Sequence, residues 1–580
     1  MGYSIKQHIQ VVLAALKGHG IKKVVISPGA TNVLFVASIQ YDDWFEVYSA
    51  PDERSGAYIA CGLASESGEG VVLSCTGATA SRNYMPGLTE AYYRKLPILA
   101  ITSGFTPAMT YNNTPQVVDR SILPNDIAKE SVVISDIYSD DDYWKCELSV
   151  NRAIIAMFSE GGGPAHIQLL TQGSLDFSST SLPKVNIIKR YEYQDELPEI
   201  PDEGRIAIRI GEHAYFDERM TAVVDEFCEK YNAIVLCDHT SGYHGKYRVL
   251  EALIGGQEAL EFSDEYAINL MIDIGNITAN YFALPVKNVW RVAVDGKISD
   301  RYRKLRKVFA MSEETFFTIY NAKRNEKSST ILWQEFSEFY NELSKKISKL
   351  PFSNVYLAQT LHNKIPKDSH LHLGILNSIR AWNFFELNDS IRCSANTGGF
   401  GIDGALSTTL GKSLVHPDKL YFCILGDLAF FYDMNVLGNR HIGNNIRILL
   451  INNGIGTEFK NYWHLGAIFG DKTDDFIAAG GHYGRKSKKL VKHYAEDLGF
   501  EYLSASNEEE FDNVTSRFVD PAMHEKPMLL EVFTDSQKES DALKIVRNIV
   551  SGNIKYQAKT IIKKHVSAST ISKVKRILRR

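Results

Sequence analysis

The sequence predicts an α/β fold of three doubly wound parallel-sheet domains, and three observations carry that prediction. At 580 residues the chain is too long for one core, and roughly 100–200 residues per domain asks for three or more. Short apolar runs of strand length alternate with longer amphipathic stretches, the signature of parallel strands joined by crossover helices. Two polar, proline-bearing breaks, at 174–202 and near 345–351, cut the chain into comparable lengths. The expected domains are therefore 1–180, 181–345 and 346–540, followed by a basic tail at 541–580.

In the first domain a helix is expected at 4–18, with Ile5, Ile9, Val12, Leu13 and Leu16 on one face. Strands follow near 23–27, 71–75, 98–102 and 165–170. The stretch 174–202 reads as an interdomain linker. In the second domain strands fall near 234–237, 270–274 and 290–294. The third ends on a strand at 528–533 and holds two further apolar runs, 421–425 and 446–451.

Composition narrows the class. With 44% hydrophobic and 23% charged residues the chain is an ordinary globular protein. No apolar run reaches the roughly 18–20 residues that span a bilayer, and the N-terminus has no signal-peptide layout. Seven scattered cysteines, odd in number and mostly inside apolar runs, read as small buried hydrophobes in a reducing cytoplasm. The net charge is −5, but from Asp541 onward eleven Lys/Arg face one acid, so the first 540 residues sum to about −15. An acidic body argues against nucleic-acid binding. In the tail, Ile571, Val574, Ile577 and Leu578 recur at helical spacing among Lys573, Lys575, Arg576, Arg579 and Arg580. That is either a solvated terminus or a basic amphipathic helix that contacts an anionic membrane peripherally.

The stretch that carries chemistry is Gly426–Gly454. Gly426-Asp427 directly follows the first apolar run of the third domain, and Asn452-Asn453-Gly454 ends the second. With one helix between them the unit is β-α-β, so Asp427 and Asn453 both stand at carboxyl ends of parallel strands, where open α/β sheets bind ligands. A carboxylate and an amide oxygen are hard ligands. They suit Mg²⁺, which shares its shell with substrate phosphates.

This pattern resembles the metal–diphosphate motif of thiamine-diphosphate enzymes of the pyruvate oxidase and acetolactate synthase group. Within that group it is most similar to the 2-succinyl-5-enolpyruvyl-6-hydroxy-3-cyclohexene-1-carboxylate synthases (MenD) of menaquinone synthesis. The resemblance runs to about residue 540. It implies thiamine diphosphate and Mg²⁺ as cofactors, with pyrimidine-binding, middle and diphosphate-binding domains in that order. The metal would be held by Asp427, Asn453 and the carbonyl of Ile455, beside Gly426. Glu53, in Asp52-Glu-Arg-Ser-Gly56, matches the glutamate that bonds the aminopyrimidine N1′; by itself it is also a good first residue for a helix. Ile402, in Gly401-Ile-Asp-Gly404, matches the apolar wedge under the cofactor. Gly77 and Asn83 lie on the segment that faces it. Gln116 resembles an active-site glutamine, and Gly163-Pro-Ala-His166 an architectural strand opening. The group implies a homodimer or tetramer, the cofactor's two ends binding different subunits.

Departures from the family carry the substrate argument. Two family arginines are replaced, by the stretch Ser27-Pro-Gly-Ala-Thr-Asn32 and by Thr397, while Arg380 matches a third that helps hold an acidic donor. Losing two bidentate carboxylate anchors is not conservative, so isochorismate is not the expected acceptor. Asn32 and Arg82 are candidate substrate contacts, Arg82 either restoring positive charge or pairing with Glu66 or Glu69. His482, in a Gly-rich loop, is either an acid–base group or a surface residue; His239 and His244 are loosely placed. The expected activity is decarboxylation of a 2-oxo acid with transfer of the acyl anion to an acceptor carbonyl or other electrophile. Simple decarboxylation to an aldehyde and a non-catalytic cofactor-binding subunit are the alternatives. The expected location is cytoplasmic, with the tail reaching the inner face of the membrane.

Overall fold

The protein is described from a computed structural model, which covers residues 2–120, 122–173, 175–261, 263–264, 266–328, 331–478, 480–482 and 486–550. The expected tail helix lies outside these residues. The chain divides into two compact units, one of residues 1–195 with 295–310, the other of 196–294 with everything from 311 onward.

The first unit is built on six strands: β1 (Lys23–Ile26), β2 (Glu46–Ser49), β3 (Val71–Thr76), β4 (Ile98–Gly104), β5 (Ser131–Ile134) and β6 (Ala165–Leu170). They are all parallel, in the order β2-β1-β3-β4-β6-β5. The four inner strands read as apolar runs because helices cover both faces. The edge strands β2 and β5 are short and largely exposed, so they lack that signal and escape the sequence reading. The expected N-terminal helix forms at Gln7–Gly18 and buries Ile9, Val12, Leu13 and Leu16. The 174–202 stretch is a correction: it holds β7 (Lys189–Glu192) in addition to connecting backbone. That strand pairs in parallel with β13 (Leu305–Ala310), and Tyr191 stacks on Phe309 at 5.3 Å. A polar edge strand is hard to tell from a linker by composition.

The second unit contains β8 (Ile206–Ile210), β9 (Ala233–Cys237), β10 (Arg248–Leu250), β11 (Ile268–Ile274) and β12 (Val286–Val292). Their order is β10-β9-β8-β11-β12. A separate sheet takes β14 (His370–Leu373), β15 (Arg392–Ser394), β16 (Tyr421–Gly426), β17 (Ile446–Asn452), β18 (Glu501–Ala505) and β19 (Met528–Phe533), in the order β15-β14-β16-β17-β19-β18. All its pairings are parallel. Inside this unit Arg209 and Glu251 form a buried ion pair, and His239 sits between the carbonyls of Trp382 and Phe385 at 3.0 Å each.

In each sheet the chain steps to one side of its first strand and then crosses to the other. The crossing leaves a crevice at the carboxyl ends of β1 and β3, of β8 and β11, and of β14 and β16, where such sheets bind ligands. The motifs of the sequence lie at the first and third of these crevices. All seven cysteines are free thiols, and six of them are buried. Among the described residues no helix is long and apolar enough to cross a membrane.

Candidate active site

In the first unit the candidate residues lie around the β1–β3 crevice. Glu53 is the first residue of the helix Glu53–Ser67, whose N-terminus Asp52 caps by accepting from the Arg54 N–H at 3.1 Å. Glu53 is half-buried, and its carboxylate has no hydrogen bond or ion pair among the described residues. It is free to take one from a ligand. Gly77 opens the short helix Ala78–Asn83, and a Cβ there would meet the Arg120 guanidinium at 3.0 Å; at Gly104 the approach would be 2.6 Å. Arg120 is buried and donates to Thr102 Oγ1 at 2.6 Å and to the Thr102 carbonyl at 3.2 Å. It follows Gln116 by four residues, in Pro115-Gln-Val-Val-Asp-Arg120, yet sequence reasoning passed over it because nothing local marks it as buried.

The remaining predicted residues of this unit are placed unevenly. Gln116 is exposed with φ at +63°, and Asn83 is exposed at its helix end. Arg82 is exposed and donates to the Asp119 carbonyl at 2.6 Å, while Glu69, its alternative partner, pairs with Lys23. Asn32 is fully buried. Its Oδ1 accepts from Ser74 and Ser103 hydroxyls at 2.9 Å each, so its amide oxygen is spent inside the sheet. His166 lies between Thr102 Oγ1 and Ser131 Oγ, both at 2.8 Å, and burial holds its pKa down at about 3, the architectural role its motif implies.

In the second unit the candidate residues lie at the β14–β16 crevice. Asp427 starts the helix Asp427–Asp433 and is 4% exposed. Its Oδ2 accepts from the Gly454 N–H at 2.6 Å and its Oδ1 from the Leu428 N–H at 2.8 Å. No cation faces it among the described residues. Burial pushes its carboxyl up to about 7, with Glu531 adding to the effect. Gly454, at φ +74°, turns the chain so that this N–H can reach it. Asn453 Oδ1 accepts from the Ile455 N–H at 3.2 Å, and the Ile455 carbonyl accepts from the Thr457 N–H at 2.9 Å. Each of these oxygens keeps a second lone pair. A Cβ added at Gly398, Gly399 or Gly426 would meet nothing within 4 Å, so open space adjoins the Asp427 loop. A buried carboxylate without a cation, two further oxygens on the same loop and adjacent space fit a metal with a phosphate-bearing group. Among the described residues no cluster of three His, Cys, Asp or Glu side chains offers a rival metal site.

Ile402 packs against the apolar core beneath the helix Ala405–Ser413. Arg380 sits in the helix Asn377–Trp382 that follows β14 and is 4% exposed. It donates to both carboxylate oxygens of Glu458, at 2.7 and 3.0 Å, and lies 4.4 Å from the centre of the Tyr281 ring. Glu458 also accepts from Asn461 Nδ2 at 3.1 Å. Glu458 follows Ile455 by three residues, yet the sequence alone could not set it apart from a surface glutamate. His482 is exposed on the bend at 480–482, and the ring of His244 stacks on Tyr215 at 5.0 Å.

Residues 7–121 match the family described as "Thiamine pyrophosphate enzyme, N-terminal TPP binding domain". The chain is a homologue of thiamine-diphosphate enzymes. It is 29% identical over 573 residues to the 2-succinyl-5-enolpyruvyl-6-hydroxy-3-cyclohexene-1-carboxylate synthase of Phocaeicola vulgatus, covering 93% of this chain and 98% of that protein. Against the synthase of the same name from Bacteroides fragilis it is 29% identical over 562 residues, with the same coverage. A solved structure, the Rhodococcus jostii RHA1 thiamine diphosphate-dependent 4-hydroxybenzoylformate decarboxylase, is a looser likeness: 15% identity and a TM-score of 0.40, covering 91% of this chain and 99% of that one. The homology to the synthases extends through both units, so it covers the candidate residues of each.

Proposed function

We propose that this homologue is a thiamine-diphosphate- and Mg²⁺-dependent enzyme that decarboxylates a 2-oxo acid and transfers the acyl anion to a carbonyl or other electrophile. The observation that carries the reading is Asp427, a buried carboxylate at a strand-switch crevice whose partners among the described residues are backbone N–H groups alone. A hard cation is the partner such a group lacks. Asp427, Asn453 and the Ile455 carbonyl would hold Mg²⁺, and the diphosphate would take the space beside Gly426. Thiamine diphosphate, when bound, supplies the acyl-carbanion chemistry, and the protein supplies orientation and electrostatics.

Among the chain's own residues, Glu53 would hold a proton at the pyrimidine nitrogen, Ile402 would support the cofactor from below, and Gly77 and Asn83 would line its first-unit side. Gln116 and His482 remain candidate catalytic groups and Arg82 a candidate substrate contact, all on exposed segments. The helix Glu53–Ser67 leaves Tyr58 and Ile59 48% and 44% exposed, an apolar pair that supports a homodimer joined along it. Cytoplasmic residence belongs to the same reading.

Arg380 favours a particular donor. Its charge is met in bidentate fashion by Glu458, so a second acid on the donor would have to displace a fixed carboxylate. The reading is therefore a 2-oxo acid without a second acidic group, of which pyruvate is the simplest, in preference to 2-oxoglutarate. With the stretch Ser27-Pro-Gly-Ala-Thr-Asn32 and Thr397 in place of the other two anchors, isochorismate is not the acceptor.

The test is a panel of 2-oxo acids offered to the cofactor-loaded protein, with CO₂ release measured and products weighed with and without added carbonyl acceptors. A ligated product is the expected result. An aldehyde alone moves the assignment to simple decarboxylation, and no CO₂ from any donor moves it to a non-catalytic subunit. Consumption of isochorismate with 2-oxoglutarate would overturn the substrate reading.

A further inference from the structure

The second unit has a cavity of about 360 Å³ on the opposite edge of the third sheet from Asp427. It meets His370 and Tyr421, the first residues of β14 and β16, and Arg392, the first of β15. Its other wall is the Gly211–Ala214 turn after β8 and Thr240 after β9. That wall is at the carboxyl ends of the middle strands. There the chain crosses from β9 on one side of β8 to β11 on the other, the position where an open α/β sheet binds ligands. The Glu212 carbonyl ties the turn after β8 to the loop after β11 by accepting from the Asn276 N–H at 2.8 Å.

The cavity gathers positive charge that the protein leaves unmatched. Lys412, half-buried at the end of the helix Ala405–Ser413, has no hydrogen bond or ion pair for its ammonium among the described residues. Desolvation lowers its pKa, against the weaker pull of Glu212. Arg392, exposed at the mouth, has no carboxylate partner among the described residues, and its guanidinium lies 4.9 Å from the centre of the Tyr215 ring. His370 has a buried Nε2 without a partner. Burial, then Arg392, Lys419, His416 and Lys412, hold its pKa down at about 4. Glu212 is the one acidic residue lining the cavity, and it is held by Asn276 Nδ2 at 2.9 Å. Lys412 and Arg392 therefore bring two positive charges to a cavity lined by one carboxylate, and a bound anion would offset the excess.

The aromatic rings narrow the ligand. Tyr215 carries Arg392 and stacks on His244 at 5.0 Å. His370 is stacked between Tyr421 at 4.5 Å and His416 at 6.1 Å. These rings already have stacking partners, so a nucleobase or flavin would find little free aromatic surface here. The volume also lies at the low end of small-molecule pockets, roughly 300–1,000 Å³.

We propose that this cavity is a second ligand site, which binds a phosphate monoester of a non-aromatic, sugar-sized molecule, the phosphate lying between Lys412, Arg392 and His370. Dianionic phosphate is the group that matches several converging donors.

The test uses the full chain saturated with thiamine diphosphate and Mg²⁺, so that any diphosphate site is filled, titrated with glycerol 3-phosphate by calorimetry. Saturable one-site binding of ~1 mM or tighter is expected, and glycerol should give none. Lys412→Gln and Arg392→Gln should each weaken it at least about tenfold, the scale of one charged hydrogen bond. Lys412→Arg, which keeps the charge, should stay within a few-fold and so separates lost recognition from lost folding. No saturable binding, or binding that both glutamine variants retain, would overturn the site. Adenosine monophosphate bound more tightly than glycerol 3-phosphate would overturn the ligand class.

Discussion

Replacing Glu458 by Gln tests the donor assignment directly. In the wild type Arg380 is 4% exposed and the Glu458 side chain 16% exposed, with two hydrogen bonds of 2.7 and 3.0 Å between them. The Glu458→Gln amide would keep one carbonyl acceptor but remove the counter-charge, leaving a buried guanidinium uncompensated. Breaking a fully buried pair costs about 3–5 kcal/mol. The retained hydrogen bond and the partial exposure of this side chain reduce this to roughly 2 kcal/mol. A donor with a second carboxylate can recover that loss by pairing with Arg380, whereas pyruvate cannot. A charge-assisted hydrogen bond of about 1.5–3 kcal/mol corresponds to about 10–100-fold. Glu458→Gln should therefore raise the ratio of kcat/KM for 2-oxoglutarate over pyruvate by that factor, while the denaturant midpoint falls. The assay is steady-state CO₂ release from both donors at equal cofactor saturation. An unchanged ratio with a lowered midpoint would refute the reasoning, because the pair would then serve the fold alone.

Glu53→Gln should bind thiamine diphosphate within a few-fold of wild type but lose turnover by orders of magnitude, since an amide cannot share a proton; near-normal turnover removes Glu53 from the mechanism. Asp427→Ala should abolish Mg²⁺-dependent retention of the cofactor on gel filtration, and full occupancy in that variant would dismiss the metal assignment. Glu539 is buried, accepts from Thr534 Oγ1 and the Asn354 N–H, and is pushed up to about 7 by burial, with Asp535 and Asp427 adding. Its stabilising contribution is full below its ordinary pKa near 4.5, falls as pH rises, and is lost above about 7. In cofactor-free protein, Glu539→Gln should thus gain on the order of 3 kcal/mol over wild type between pH 4.5 and 8; a pH-independent difference in denaturant midpoint contradicts the burial argument. Deleting 560–580 should leave soluble activity intact and remove salt-sensitive binding to anionic vesicles, whereas a full-length protein that ignores such vesicles has a merely solvated tail.

Most of the fold was legible because its inner strands are covered on both faces. Burial on both sides demands continuous apolar runs, and runs such as 71–75 and 446–451 can be read without coordinates. The edge strands β2, β5 and β7 escaped for the converse reason: one side is solvent, so their residues resemble loops. The inner strands β8 and β14 escaped too, because Arg209 in the one and His370 and His372 in the other interrupt their apolar runs. The pieces of the candidate site were legible for a related reason. Glycine, aspartate and asparagine immediately after an apolar run stand at a strand's carboxyl end whatever the rest of the chain does, which located Asp427 and Asn453.

What the linear order could not decide was which charged groups meet. Arg380 and Glu458 are 78 residues apart, and only the packing of the helix after β14 against the turn after β17 makes them a pair. Asn32 stands in a loop that looks open in sequence, yet two serine hydroxyls from β3 and β4 enclose it. Lys412, Arg392 and His370 come from three separate segments and converge only where β8 presents its carboxyl end. Apolar periodicity is a local property that a sequence displays directly. The neutralisation of a charge depends on which groups lie within a few ångströms, and tertiary structure alone sets those distances.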